Sequence, residues 1–338
     1  MYLTYRWNVI YQYELNKIGQ FHYLDLPNVF PWNHSARPFS ENCKVVKIED
    51  IDLKNYKAFV LHFNEMVLNP GKNVRSDFGE VFRKLAKIPI KKVFVCHGVP
   101  ALEGRFEPDF YFEDNLKIDQ EAKKELEDFI QDDLVIFPNF EAQSKWNFKN
   151  SLIIEPTLSY QHYPYVPKTK SKFVSVSPFL ATNPQYSGYK IFDKVCLGLG
   201  VEVIGKDPIG IAKEITPPSI EENSNEKSII NFYDYLDFIG QYSCYLNTHV
   251  REPWHHNLYE SMLLGSVPVT TNYFGESKVI KNGYNGFYSN NVYELRNYAI
   301  YLLANPERAI EMGYNARKTM LKKFSTNKFY EKWSKLLE

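Results

Sequence analysis

Cysteine is scarce in this chain. Four residues in 338, Cys43, Cys96, Cys196 and Cys244, lie far apart and show no CxxC spacing. They sit mostly in apolar runs, which fits buried thiols in a reducing compartment and argues against a disulfide framework or a thiolate metal site. No apolar run approaches the ~18 residues that a membrane span needs. The opening MYLTYRWNVIYQYELNK lacks the basic-then-apolar pattern of a secretory signal, so a cytoplasmic protein is expected. An excess of one charge is missing as well. Lys and Arg number 40, as do Asp and Glu. A net charge of zero speaks against a nucleic-acid partner and against an acidic disordered tail. Glycine is thin at the start, where Gly19 is the only one before Gly71. An opening strand with a glycine-bearing loop is therefore hard to place, and residues 1–40 fit the pattern of the rest poorly.

What is present is ordinary globular material with many aromatics. Hydrophobic residues make up 44% and aromatics 16%, including 25 Tyr and 24 Phe. The length suggests about two domains, each able to bury its own core. Short apolar runs alternate with helix-like stretches. Residues 44–49, 58–63, 92–97, 134–138 and 152–155 read as buried strands, and 74–86, 120–130 and 141–147 as helices. This alternation predicts a parallel α/β sheet. The stretch 163–172 (YPYVPKTKSK) breaks it with two prolines and three lysines, and reads as a linker. A second series follows. Strands are expected at 173–176, 201–204, 229–233, 244–247, 267–271 and 286–288, and helices at 192–199, 259–264, 292–303 and 309–322. The expected fold is therefore two Rossmann-like, doubly wound α/β domains, residues 1–165 and 173–322, facing a central cleft. Ligands in such sheets bind outside the carboxyl ends of the strands.

One stretch carries chemistry. Residues 251–269 read REPWHHNLYESMLLGSVPV and follow the strand at 244–247. Pro253 disfavours helix at Glu252, which places that carboxylate in the loop. The run 259–264 is good helix material and Gly265 stops it, so Glu260 lies on the helix. The free N–H groups of a helix start, between two carboxylates, suit a phosphate flanked by polyol hydroxyls.

Glu-Pro-aromatic, then Glu-x-Met-x-x-Gly-x-x-Pro-Val, then Val279-Ile280-x-Asn282-Gly283-x-Asn285-Gly286-Phe287 resembles the donor-binding half of the retaining GT-B glycosyltransferases, family 4 in particular, with its E-x7-E motif. The resemblance is strong over about residues 244–325, weaker from about 92 to 243, and poor before that. It implies hexosyl-type transfer from a nucleotide-diphosphate sugar with retained configuration, by positioning and by stabilising the leaving group. Glu260 would bind the ribose, and Glu252 would hold the donor sugar near the reacting carbon. His255, His256, Asn257 and Leu258 would offer backbone N–H groups, and His97 would face the donor from the first domain. The last segment, 323–338, would be a helix crossing back to that domain. No cofactor or metal is expected, since adjacent His255 and His256 rarely share one ligand geometry. The acceptor would be a carbohydrate, a lipid-linked group or a protein.

Several positions depart from the family's pattern. The loop at 175–180, which includes Ser177, has none of the usual arginine, and the nearest lysine is Lys190. With Lys206 and Arg251, Lys190 completes the set of candidate cations for the diphosphate. The expected small glycine is His255, a Gly-Gly pair is Phe274-Gly275, and an acidic residue after it is Lys278. These changes keep a non-catalytic sugar-nucleotide or glycan-binding protein of the same fold as the alternative, with an epimerase of similar fold behind it. The basic stretch 72–92, with Arg75, Arg83, Lys84, Lys87 and Lys91, offers a face for peripheral contact with anionic lipid or is simply a solvated helix face.

Overall fold

The computed structural model describes residues 1–26, 29, 32–34, 36–68, 78–100, 120–176, 188–205, 212–215, 232–250, 252–324 and 326–338. The chain divides into two compact units, Met1–Thr157 with Thr326–Glu338, and Leu158–Ser325. Each is a parallel-sheet, Rossmann-like α/β domain. No helix among the described residues is long and apolar enough to cross a membrane.

The first unit contains strands β1 (Tyr2–Tyr5), β2 (Phe21–Leu24), β3 (Lys44–Val46), β4 (Ala58–Phe63), β5 (Lys92–Cys96), β6 (Leu134–Phe137) and β7 (Ser151–Ile153). They form one sheet in the order β3-β2-β1-β4-β5-β6-β7, every pair parallel. The order reverses between β1 and β4, where such sheets bind ligands at their carboxyl ends. All six residues of β4 are buried, as a strand covered on both faces requires. Its side chains alternate between two cores. Phe59, Leu61 and Phe63 join Phe82, Leu126 and Trp146 of helices α2 (Phe78–Ala86), α3 (Gln120–Ile130) and α4 (Phe140–Trp146). Ala58 and Val60 join Tyr11 of helix α1 (Val9–Leu15) on the opposite face.

The start of the chain is a strand, a short helix and a strand, and it needs no glycine. Asn8 caps α1 by accepting from the Tyr11 N–H at 3.0 Å. The Gln12 amide then closes the turn, accepting from Trp7 N at 2.8 Å and donating to Tyr5 O at 2.7 Å. The expected strand at 44–49 ends at Val46, because a 3-10 turn at Ile48–Asp50 follows. Of the basic stretch, residues 72–77 lie outside the described part, and Arg83 pairs with Glu125 at 3.2 Å.

The second unit has strands β8 (Lys170–Val176), β9 (Glu202–Ile204), β10 (Lys213–Glu214), β11 (Tyr242–Asn247), β12 (Val267–Thr270) and β13 (Phe287–Tyr288). Their order is β10-β9-β8-β11-β12-β13, again all parallel. Helices α5 (Tyr189–Cys196), α6 (Phe232–Gly240), α7 (His256–Leu263), α8 (Val292–Ala304) and α9 (Pro306–Lys323) complete it. The strand expected at 229–233 is corrected in part: Phe232 and Tyr233 begin α6, because their aromatic side chains recur with Leu236 and Ile239 at helical spacing. Residues 229–231 lie outside the described part.

The stretch read as a linker is instead built into the second unit. Tyr163 is buried. The Lys168 ammonium donates to Gly240 O at 2.6 Å, Leu264 O at 2.8 Å and Ser266 Oγ at 3.2 Å, so one cation closes the carboxyl ends of α6 and α7. Burial lowers its pKa to about 7. The last helix, α10 (Thr326–Leu337), belongs to the first unit, where Phe329, Trp333 and Leu337 cover the second core at a spacing of four.

Candidate functional site

The candidate site grows from the carboxyl end of β11 and the start of α7. Asn247 ends the strand and donates through Nδ2 to Thr270 Oγ1 at 2.9 Å, tying β11 to β12. Thr271 Oγ1 donates to His249 O at 2.7 Å and anchors the loop that follows. Gly188, left-handed at φ 65°, opens α5 directly beneath that loop. A Cβ there would lie 1.8 Å from Thr248 O, so only glycine allows the approach. Lys190 is exposed on the first turn of α5. The residue that opens α7, His255, makes no side-chain capping hydrogen bond to the helix start.

Glu252 sits in the loop as expected, with 24% of its side chain exposed. Its Oε2 lies 3.4 Å from His249 Nδ1 and 3.5 Å from His255 Nδ1. The two imidazoles stack at 13°, their centroids 5.8 Å apart. His255 Nε2 in turn lies 2.8 Å from Glu276 Oε1. The second Glu276 oxygen accepts from the Phe274 N–H at 3.0 Å. Burial alone would lower the His255 pKa, but hydrogen bonds and charge from Glu252 and Glu276 override it and hold the group at about 9. His255 is therefore a buried imidazolium between two carboxylates. Burial lowers His249 to about 4, so it stays neutral. Burial would raise Glu252, yet the charged His255 beside it outweighs this and brings it below its ordinary value. His249, Glu252 and His255 each offer one metal-ligand atom within 4.8 Å of the others. Glu252, His255 and Glu276 thus form a chain of ionic contacts in the second unit.

Glu260 lies on α7 and is 1% exposed. Its Oε1 accepts from the Tyr163 hydroxyl at 2.7 Å. Tyr163 is itself fixed by Arg317, whose Nη1 donates to Tyr163 O at 2.7 Å and also to Leu263 O.

The second unit thus places Glu252 and His255 in the loop before α7, His256, Asn257 and Leu258 on its first turn and Glu260 in its middle, with Lys190 on the first turn of α5. Ser177, Lys206 and Arg251 lie outside the described residues. His97 belongs to the first unit. It directly follows β5 and its Nε2 lies 2.8 Å from Nδ1 of His62 on β4.

Three partners escaped the sequence reading. Glu276 is the acidic residue expected near Lys278, displaced by two positions and adjacent to Gly275, so a looser spacing would have found it. His249 lies three residues before Glu252, within reach of any loop. No spacing links Tyr163 to Glu260, 97 positions on.

The family model described as "Glycosyl transferases group 1" matches residues 221–319, inside the second unit. None of the curated proteins matches the chain. Among solved structures, sucrose-phosphate synthase from Thermosynechococcus elongatus aligns at TM-score 0.67 and 9% identity, covering 99% of this chain and 97% of that one. HepE from Anabaena, in complex with UDP-glucose, aligns at TM-score 0.66 and 12% identity, covering 99% and 98%. A TarM mutant from S. aureus, in complex with fondaparinux, alpha-GlcNAc-glycerol and UDP, aligns at TM-score 0.61 and 15% identity, covering 83% of this chain and 55% of its own. The chain thus spans about half the length of TarM. At these identities the likeness establishes the fold, two parallel-sheet Rossmann-like domains of the GT-B kind.

Proposed function

We propose that the protein is a retaining glycosyltransferase of the family 4 type, whose second unit holds a nucleoside diphosphate sugar around α7. The observation that carries this reading is Glu260, a carboxylate that is buried and held by the Tyr163 hydroxyl at 2.7 Å on one oxygen. A carboxylate at this position suits a ribose diol, since it is a strong acceptor for vicinal hydroxyls. At the opposite end of the same turn, the N–H groups of His256, Asn257 and Leu258 face developing negative charge, and Lys190 supplies a cation beside them. The match to residues 221–319 supports the same assignment.

The chemistry follows from the charges. As the bond from the anomeric carbon to the diphosphate breaks, the sugar becomes cationic and the leaving group anionic. Glu252, His255 and Glu276 together carry one net negative charge, which stabilises the sugar cation. The starts of α7 and α5 face the departing diphosphate. The acceptor hydroxyl forms the new bond on the same face, and its proton passes to the leaving diphosphate. His97 is the sugar-contacting histidine that the resemblance assigns to the first unit. The acceptor is a carbohydrate, a lipid-linked group or a protein hydroxyl.

The absence of arginine from 175–180 favours a second reading, a binding protein on the same fold. Incubation with UDP-, GDP- and ADP-sugars separates the two. Release of nucleoside diphosphate with transfer to an added glycan or to water is expected. Binding of a nucleotide sugar that stays intact over hours would replace the enzyme reading by the second one.

A further inference from the structure

His62 is fully buried on β4. Burial drives its pKa down to about 3, so its imidazole is neutral near pH 7. Its Nδ1 lies 2.8 Å from His97 Nε2, with the rings tilted by 32°. One proton sits between those two nitrogens, which allows two arrangements. In the first, His62 Nδ1–H donates. His97 Nε2 then accepts, and a neutral His97 keeps its own proton on Nδ1. In the second, His97 Nε2–H donates, and His62 must carry its proton on Nε2. That nitrogen is buried and has no hydrogen-bond partner among the described residues. A buried donor left unpaired is destabilising, because its lost hydration is not replaced. Orphaned buried N–H groups are rarer than under-satisfied acceptors, so the first arrangement, which leaves a bare acceptor there, is favoured. This difference outweighs the small preference of a free imidazole for the Nε2–H form.

The surroundings hold both rings in place. The Tyr11 ring stands at 79° to His62 and 89° to His97, with centroids 6.0 and 5.2 Å away. The Tyr11 hydroxyl accepts from Trp333 Nε1 at 3.1 Å, so α10 backs the pair. The Tyr5 hydroxyl donates to His62 O, and the His97 N–H donates to Phe63 O at 2.7 Å. Beside them the chain is closely packed at Gly98, where a Cβ would lie 2.1 Å from Glu65 Oε2 and 2.7 Å from Asn64 Cβ.

We propose that His62 is a positioning residue that locks His97 into its Nδ1–H tautomer, so that His97 acts at the carboxyl end of β5 as a hydrogen-bond donor and not as a general base. It then selects an acceptor oxygen there. That this oxygen is a sugar hydroxyl rests on the glycosyltransferase reading; the tautomer itself does not.

The test is long-range 15N–1H correlation NMR of the full-length protein with 15N-labelled histidine, near neutral pH. The signals of His97 are assigned by their loss in His97→Gln. In the wild type, His97 should carry its proton on Nδ1. In His62→Leu, which removes the donor, it should shift toward Nε2–H. In His62→Asn, whose side-chain amide can replace the Nδ1 donor, the Nδ1–H form should return. Transfer should follow the tautomer, falling at least tenfold in kcat for His62→Leu with partial recovery in His62→Asn. An Nε2–H signal for His97 in the wild type overturns the proposal even if no variant folds, as does an unchanged tautomer in His62→Leu. If the wild type turns over no nucleotide sugar, the glycosyltransferase reading fails while the spectrum still decides the tautomer.

Discussion

Two histidine pairs, one in each unit, show how differently the same side chain can be set. In the first unit His62 and His97 meet nitrogen to nitrogen, and burial leaves His62 neutral, with a pKa of about 3. In the second, His249 and His255 stack over Glu252, while Glu276 holds the far side of His255. There the carboxylates outweigh burial and His255 stays charged up to about 9. Burial disfavours charge in both places, and a partner of opposite sign decides whether it wins. The first unit thus holds an uncharged imidazole beside His97, and the second a charged imidazole among carboxylates.

The largest expected effects break this comparison by pH. His62 titrates below its ordinary 6.5 in the folded state, so its contribution to stability is present above pH 6.5 and is lost as pH falls from 6.5 toward 3. The difference corresponds to something on the order of 5 kcal/mol. His249, at about 4, acts in the same direction within the second unit. For His255 the sign is reversed. Its folded value of about 9 lies above 6.5, so its contribution is full below pH 6.5 and is lost as pH rises through 9, on the order of 3 kcal/mol. Urea unfolding across pH should show His62→Leu flattening the acid limb and His255→Gln flattening the alkaline one. A shared effect of both variants on both limbs would break the contrast.

Next in size is Glu252→Gln, which preserves shape and removes the negative charge beside the sugar. We expect transfer to fall about 100- to 1,000-fold in kcat, the usual scale for losing one aligned electrostatic group, with nucleotide affinity largely kept. Wild-type turnover in this variant would reduce Glu252 to a loop residue paired with histidines.

Lys190→Ala should weaken nucleoside diphosphate by about 1.5–3 kcal/mol and leave the uncharged nucleoside unaffected, because only the former carries charge for a lysine to meet. Calorimetry of both ligands measures the difference. Equal losses for the two would remove Lys190 from the diphosphate and leave backbone N–H groups to hold it alone. Smaller still is Tyr163→Phe, which deletes one hydrogen bond to Glu260 and should cost about 1 kcal/mol in nucleotide affinity by the same calorimetry.

The sequence was most legible where period and spacing carry the structure. The buried β4 and β5, the helix with Glu260 and the loop with Glu252 all follow from apolar runs and one proline. It was least legible where a side chain substitutes for a backbone device. Asn8 and Gln12 close a turn for which a glycine was sought, and Lys168 caps two helices from a stretch whose prolines and lysines look like a linker. Phe232 and Tyr233 look like strand residues until Leu236 and Ile239 extend their helical spacing. Long-range partners left no local signal at all, as with Tyr163 on Glu260 and His62 on His97, since nothing in one segment encodes the register of another.

The central claim is that α7 of the second unit holds a nucleoside diphosphate through Glu260. Its most direct test is thermal unfolding of the wild type and of Glu260→Ala with UDP, GDP and ADP over a range of concentrations. A ligand that binds the folded state alone raises the midpoint with its concentration. At least one of the three should do so for the wild type, and Glu260→Ala should need roughly 10- to 150-fold more of it for the same shift, the concentration equivalent of about 1.5–3 kcal/mol. A wild type indifferent to all three, or a variant that responds like the wild type, would contradict the account.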